Sequence, residues 1–257
     1  MFSESTAPHL AAVLQHFAPP PGIAPGMDSL FSRQPTETFK ANATIFWEGD
    51  ATTHVYQVLE GVLRIVKILS GGRRAITGFV YSGDLLGISL RTPHFSTAET
   101  VTPTRIRRLG RTQFRDAMQH SPELRLNLLQ RLCEDAAAAD DRMVLLARKT
   151  AEERVCSFLL MMARRMRRDC CAGATVAVPM CRLDLADYLG LTKETVCRTM
   201  ARLAGLGLIT TTGRHGVTIC ALESLAFHAG DGESDALRDG HGLPRRLRHH
   251  AGECDAA

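Results

Sequence analysis

Between Thr38 and Leu109 the chain alternates apolar and polar positions in short runs rich in β-branched and aromatic residues, at Val55–Leu59, Val62–Ile68 and Ala75–Val80. Turn signals separate the runs at Gly49-Asp50, Glu60-Gly61, Ser70-Gly71-Gly72 and Ser82-Gly83-Asp84. Short strands at regular spacing with such turns predict a compact antiparallel roll. From about Arg111 the period becomes helical and stays so to about residue 149. Leu128, Leu132, Ala136, Ala139, Met143 and Leu146 follow one another at steps of three or four residues, an apolar seam along one helix. Either the chain's own roll covers that seam or a second copy does. The small Ala136–Ala139 centre lets two helices approach closely and favours a parallel homodimer.

A further helix is expected over Ala151–Arg168, and the stretch Leu183–Gly207 then divides into two short helices. Leu185, Ala186 and Leu189 form an apolar face, Gly190 supplies a sharp turn, and Thr192 stands as N-cap before Lys193-Glu194-Thr195-Val196-Cys197-Arg198. Such a pattern is a helix-turn-helix signature. Downstream, Leu206–Thr212, a turn at Gly213-Arg214-His215 and Gly216–Ile219 read as a strand, a turn and a second strand, the wing of a winged helix. The ends differ in character. Pro8, Pro19, Pro20, Pro21 and Pro25 mark residues 1–30 as a flexible leader, with a short helix conceivable only over Leu10–Phe17, and the Gly-, Asp-, His- and Arg-rich residues 229–257 read as a disordered tail. The expected fold is α+β: a β-roll sensor-like domain at 31–110, a dimerisation helix at 111–149 and a winged helix-turn-helix at 150–228.

On the second helix of the motif Glu194, Cys197 and Arg198 share one face, while Val196, Met200 and Leu203 lie on another and can pack inward. A carboxylate accepts from the cytosine amino group and a guanidinium takes guanine O6 and N7 together, so Glu194 and Arg198 suit base reading, with Cys197 and Lys193 beside them. Arg182, Thr192 and Thr195 are candidates for phosphate contact, and Arg214 for a backbone contact from the wing. In an ordinary helical hairpin the same Glu and Arg would be solvated surface charges. The formal net charge of +4 permits nucleic-acid binding without demanding it. Its distribution adds weight, because Arg164, Arg165, Arg167 and Arg168 cluster just ahead of the motif and Arg182, Lys193, Arg198, Arg202 and Arg214 lie within it.

The eight cysteines, Cys133, Cys156, Cys170, Cys171, Cys181, Cys197, Cys220 and Cys254, lack CxxC spacing and suggest neither a disulfide scaffold nor a metal site. His249-His250 reads as part of a surface tail. Cys181 is the redox candidate: it opens the first helix of the motif beside Arg182, and a helix N-terminus with cationic neighbours makes a thiol oxidisable. Cys197 is a second candidate, expected to be more enclosed. Neither a membrane span nor a secretory signal is indicated, which predicts a cytoplasmic protein. No Ser-His-Asp, metal-ligand or Gly-rich phosphate motif appears, so no catalysis is expected.

The order of parts, together with Phe46-Trp47-Glu48-Gly49-Asp50, Leu59-Glu60-Gly61-Val62-Leu63-Arg64-Ile65, Ser82-Gly83-Asp84-Leu85-Leu86-Gly87 and Leu191–Arg198, resembles the cyclic-AMP receptor/FNR superfamily of bacterial transcription regulators. The resemblance spans roughly residues 30–228 and is nearest the FixK-like branch. It implies a TTGAT-like palindrome, double-stranded DNA and RNA polymerase as partners, and control of low-oxygen or nitrogen-fixation genes, chiefly by activation. In that branch the recognition helix carries Glu-x-x-Ser-Arg; here Cys197 replaces the serine, which leaves preference at the inner bases open.

Departures from the superfamily bear on ligands. Cyclic-nucleotide binders hold the phosphate with an Arg-Ser-Ala run and the ribose with a Glu; here those places read Phe95-Ser96-Thr97-Ala98 and Gly87-Ile88. A cyclic phosphate buried without a guanidinium would be an uncompensated charge. An FNR-type iron–sulfur cluster needs N-terminal thiolates, and residues 1–132 contain no cysteine. Haem iron would have to use His54, His94 or His120, each of which reads as an ordinary surface or core residue. No cofactor is therefore expected. The rival reading is a ligand-sensing regulatory module that acts on a protein partner.

Overall fold

The computed structural model describes residues 25–89, 92–165, 174–213 and 215–230. Helix α1 (Pro25–Ser32) leads into eight strands: β1 (Thr36–Phe39), β2 (Thr44–Phe46), β3 (His54–Glu60), β4 (Val62–Ile68), β5 (Arg74–Tyr81), β6 (Leu85–Leu86), β7 (Thr97–Thr100) and β8 (Thr104–Gly110). They form two antiparallel sheets ordered β1-β8-β3-β6 and β2-β7-β4-β5, the roll that the alternation predicts. Phe46, Tyr56, Val58, Leu63, Leu86, Ala98 and Ile106 fill its interior. The outer face of β3 and β8 is covered instead, with Val55 and Leu109 packed on Met27, Phe31, Phe114 and Met118. Residues 25–30, assigned to the leader from their prolines, therefore belong to α1, whose Met27 and Phe31 are core residues.

The single helix expected from Arg111 onward is two, α2 (Arg111–His120) and α3 (Pro122–Arg148). Proline disfavours a helical residue before it and is itself well placed at a first helical position. Ser121 accordingly lies at φ −123°, ψ 106°, and its Oγ accepts from Leu124 N at 3.3 Å as the N-cap of α3. The seam along α3 is also split. Leu128 packs beneath the roll with Leu124, and Leu146 is half-buried, whereas Leu132, Ala136, Ala139 and Met143 are exposed. With Leu129 they line a solvent-facing stripe in which Leu129 is 58% and Met143 62% exposed. Arg131 and Arg142 occupy the opposite, inward face of α3. Arg131 pairs with Asp84, and Arg142 donates to the carbonyls of Ile76, Thr77 and Tyr188.

The C-terminal region holds α4 (Ala151–Arg165), β9 (Ala174–Ala177), α5 (Arg182–Leu189), α6 (Lys193–Gly205), β10 (Ile209–Thr212), β11 (Gly216–Ile219) and α7 (Leu222–His228). β11 lies between β10 and β9 in a three-stranded antiparallel sheet, so the wing has a third strand that the sequence reading missed. Val155, Phe158, Leu159 and Met162 of α4 share one core with Leu185, Leu189, Val196, Leu203, Ile209, Ile219 and Leu225. Arg167, Arg168, Cys170, Cys171, Arg214, Cys254, His249-His250 and residues 1–24 and 231–257 lie outside the described residues.

Candidate nucleic-acid interface

Local signals fix the two helices of the motif. Cys181 caps α5, its Sγ accepting from Asp184 N at 3.4 Å. Gly190 ends that helix at φ 63°, ψ 39°, the left-handed region that favours glycine. Thr192 caps α6, its Oγ1 accepting from Thr195 N at 3.1 Å. Val196, Thr199, Met200 and Leu203 are buried against α4 and α5, as the apolar spacing requires. The opposite face carries Lys193, Glu194, Cys197 and Arg198, all exposed. Among the described residues neither Glu194 nor Arg198 has a hydrogen-bond or ion-pair partner. Cys197 is as exposed as Cys181, contrary to the expected enclosure, because its place one turn beyond Glu194 puts it on the solvent-facing stripe. Thr192 is exposed, while Arg182 and Thr195 are half-buried at the N-termini of their helices.

Three clusters of polar contacts that sequence reasoning missed hold this unit in place. Asp184, 2% exposed, accepts from Arg64 of β4 at 3.1 Å and from Arg74 of β5 at 2.5 Å; Arg74 also reaches Asp187 at 2.8 Å, and Arg64 reaches Glu99 at 2.8 Å. The roll is thereby tied to the first helix of the motif. Asp84 of the roll accepts from both Arg131 of α3 and Arg165 of α4, and the Arg165 guanidinium stacks over Tyr81 at 4.2 Å. Arg202, on the exposed side of α6, pairs at 3.3 Å with Glu152, which also meets His228 of α7 at 2.8 Å. Arg131 and Arg165 place two cations beside one carboxylate, and nothing in local sequence spacing announces that.

Inside the roll, the His94 ring stacks on Phe46 at 3.8 Å between centroids, and burial pushes its imidazole below the usual histidine range, partly opposed by Asp50. Gly87 (φ 80°) lies against Tyr56: a Cβ there would stand 2.8 Å from His54 O and 3.2 Å from Tyr56 Cδ2. Thr97 Oγ1 accepts from Glu48 N at 2.9 Å. His54 Nδ1 meets Thr53 Oγ1 at 2.9 Å, and His120 Nδ1 meets the Asp116 carbonyl at 2.7 Å. No cluster of three or more His, Cys, Asp or Glu side chains arranged to hold a metal occurs among the described residues.

Residues 153–227 match the Crp-like helix-turn-helix domain, and residues 36–121 match the cyclic nucleotide-binding domain. The chain is 40% identical over 171 residues to the nitrogen fixation regulation protein FixK of Bradyrhizobium diazoefficiens, covering 66% of this chain and 72% of that one. It is 30% identical over 225 residues to FixK of Rhizobium meliloti, covering 88% and 98%. The transcriptional activator protein FnrL of Cereibacter sphaeroides is 31% identical over 207 residues, covering 78% and 82%. Among solved structures, FixK2 from Bradyrhizobium japonicum superposes with a TM-score of 0.70 at 33% identity, covering 76% of this chain and 96% of that one.

Proposed function

Since the chain belongs to the cyclic-AMP receptor/FNR superfamily of DNA-binding transcription regulators, in its FixK branch, we propose that it is a cytoplasmic homodimeric activator. It reads a two-fold palindrome with TTG and CAA outer triplets, recruits RNA polymerase and serves low-oxygen or nitrogen-fixation genes. The observation that carries the reading is the face of α6: Glu194, Cys197 and Arg198 are exposed and, among the described residues, unpaired, while Val196, Met200 and Leu203 on the other side are locked in the core. Two such helices about one DNA turn apart, ~34 Å, enter successive major grooves. The exposed α3 stripe supports the homodimer, and the absence of a long apolar helix among the described residues accords with a protein that spans no membrane by helices.

DNA binding should need neither cyclic nucleotide, iron–sulfur cluster nor haem. The residues at the ribose and phosphate positions of the resemblance, Gly87-Ile88 and Phe95–Ala98, bring no cation, and Phe46, Tyr56 and His94 fill space within the roll. The test combines a salt titration with a base-reading variant. Wild type should bind the matched duplex in preference to a scrambled one with affinity falling steeply with salt, and Arg198→Ala should cost about 1–3 kcal/mol on the matched site only. Equal loss on the scrambled duplex would show that Arg198 does not read bases. Lys193, Arg182, Thr192, Thr195 and Arg214 serve as backbone and neighbouring contacts in this reading.

Oxidation is expected to weaken binding. Peroxide that takes the Cys181 thiol to a sulfinic or sulfonic acid puts a fixed anion at the edge of the DNA-facing surface, where it repels phosphate. Cys181 is exposed, although its sulfur already serves as the α5 cap. DNA titrations after peroxide treatment should show wild type and Cys197→Ser losing affinity while Cys181→Ser keeps it. Loss in Cys181→Ser equal to that of wild type refutes the switch.

A further inference from the structure

Arg154, on the first turns of α4, donates to four carbonyls in two separate backbone segments. Its Nε reaches Lys149 O at 2.9 Å, Nη2 reaches Leu146 O at 3.0 Å, and Nη1 reaches Leu189 O at 2.9 Å and Gly190 O at 3.5 Å. Leu146 and Lys149 belong to the end of α3 and the junction after it; Leu189 and Gly190 are the end of α5 and the turn of the helix-turn-helix. Carbonyls at helix C-termini lack intrahelical donors and carry the negative end of the helix dipole. Two such ends converge on one guanidinium. Arginine suits the place because its donors form a rigid planar fork, whereas a lysine ammonium offers a compact point charge on a flexible stem. The first turn of α4, from which Arg154 extends, is closed by a reciprocal pair, Thr150 N to Glu153 Oε2 at 2.6 Å and Glu153 N to Thr150 Oγ1 at 3.4 Å.

From this geometry we propose that Arg154 is a positioning residue that fixes the recognition helix relative to α3 and thereby sets the half-site spacing that a dimer accepts. The inference rests on the DNA-reading function proposed above. α6 begins at Lys193, three residues beyond Gly190, so any shift of the Gly190 turn is passed directly to the reading face. α3 carries the exposed stripe on which two copies pair. Arg154 joins the element that sets the distance between subunits to the turn that leads into the element that reads each half-site, and Arg142 of α3 adds a second tie one turn earlier, at the Tyr188 carbonyl. One base pair more or less moves the half-sites by ~3.4 Å and about a tenth of a turn, a change that a rigid link rejects and a loose one absorbs. Gly190 is exposed and Leu146 and Lys149 are half-buried, but Leu189 is buried, so Arg154→Ala leaves one enclosed carbonyl without its donor and the variant's stability is measured beside its affinity.

The experiment measures the affinity of full-length protein for TTGAT palindromes at the preferred spacing, at one base pair more and less, and for a single half-site. Wild type should prefer one spacing by about tenfold or more over its neighbours, the paired site gaining from effective concentration. Arg154→Ala should reduce that preference to about twofold while single half-site affinity stays within about twofold of wild type, and Arg154→Lys should restore only part of it. Should the alanine variant fail to fold, Arg154→Lys carries the test on the same duplexes. A preserved spacing preference, or single half-site affinity that falls in step with the palindrome, overturns the proposal as a structural role would. Wild type that fails to distinguish the palindrome from a scrambled duplex overturns the DNA-reading function and this inference with it.

Discussion

Ala136→Glu is expected to convert the protein to a monomer and to lower its affinity for the palindrome by about 10²–10⁴, the advantage that joining two half-site readers confers. Ala136 lies amid the solvent-facing stripe of Leu129, Leu132 and Met143, none of which the other described residues cover fully. In a parallel pair the two glutamates would approach each other in an apolar seam, where unpaired like charges are strongly disfavoured. The helix itself should survive, because glutamate is a good helix former and position 136 is exposed in the single chain. Sedimentation velocity and a DNA titration on the same sample check both halves. A variant that remains dimeric would locate the interface elsewhere; one that is monomeric yet keeps palindrome affinity would detach dimerisation from DNA reading.

Asp184→Ala should cost about 3 kcal/mol of stability, because removing one partner of a buried ion cluster leaves the others desolvated and short of an acceptor. The carboxylate is almost fully enclosed and answers two guanidiniums, Arg64 and Arg74. Each retains one other acid, Glu99 for Arg64 and Asp187 for Arg74, which keeps the cost at the low end of what such deletions produce. Denaturant unfolding measures the loss. Replacing the whole cluster with uncharged groups, Arg64→Met, Arg74→Met, Asp184→Leu, Glu99→Gln and Asp187→Asn, should recover most of it, since no ion is then left without its partner. A cost under about 1 kcal/mol for Asp184→Ala would mean that the cluster is solvated and does not hold the roll to the reading unit.

The recognition unit was legible in the sequence because its determinants are local: Gly190 for the left-handed turn, Thr192 for the cap, and the spacing of Val196, Met200 and Leu203 for the buried face. The strands of the roll were legible for the same reason, as period-two runs bounded by glycine turns. The Ser121-Pro122 break carried a local signal too, but an unbroken apolar periodicity on both sides masked it. Helix α1 was hidden by prolines that argue for a leader, although Met27 and Phe31 only declare themselves once the outer face of β3 and β8 needs cover. Which side of α3 faces its own chain was not readable, because periodicity gives a stripe without an address; Arg131 and Arg142 decide it by reaching Asp84 and the β5 carbonyls. The Arg64–Asp184 contact joins residues 120 apart, and only the tertiary fold can make such a pair.

The strand β9 has a bearing on how the DNA-reading part of this chain can be excised or transplanted. β11 needs two neighbours, and one of them comes from residues 174–177, ahead of the helix-turn-helix, while the other, β10, follows it. The two reading helices are thus enclosed in a loop whose ends are zipped together by a ladder of backbone hydrogen bonds. A fragment beginning at Cys181 would carry both helices and the hairpin yet leave β11 with an open edge, the kind of edge that pairs with other chains and aggregates. The smallest autonomous DNA-reading module of this protein begins upstream of Ala174, well before the motif by which its sequence is recognised.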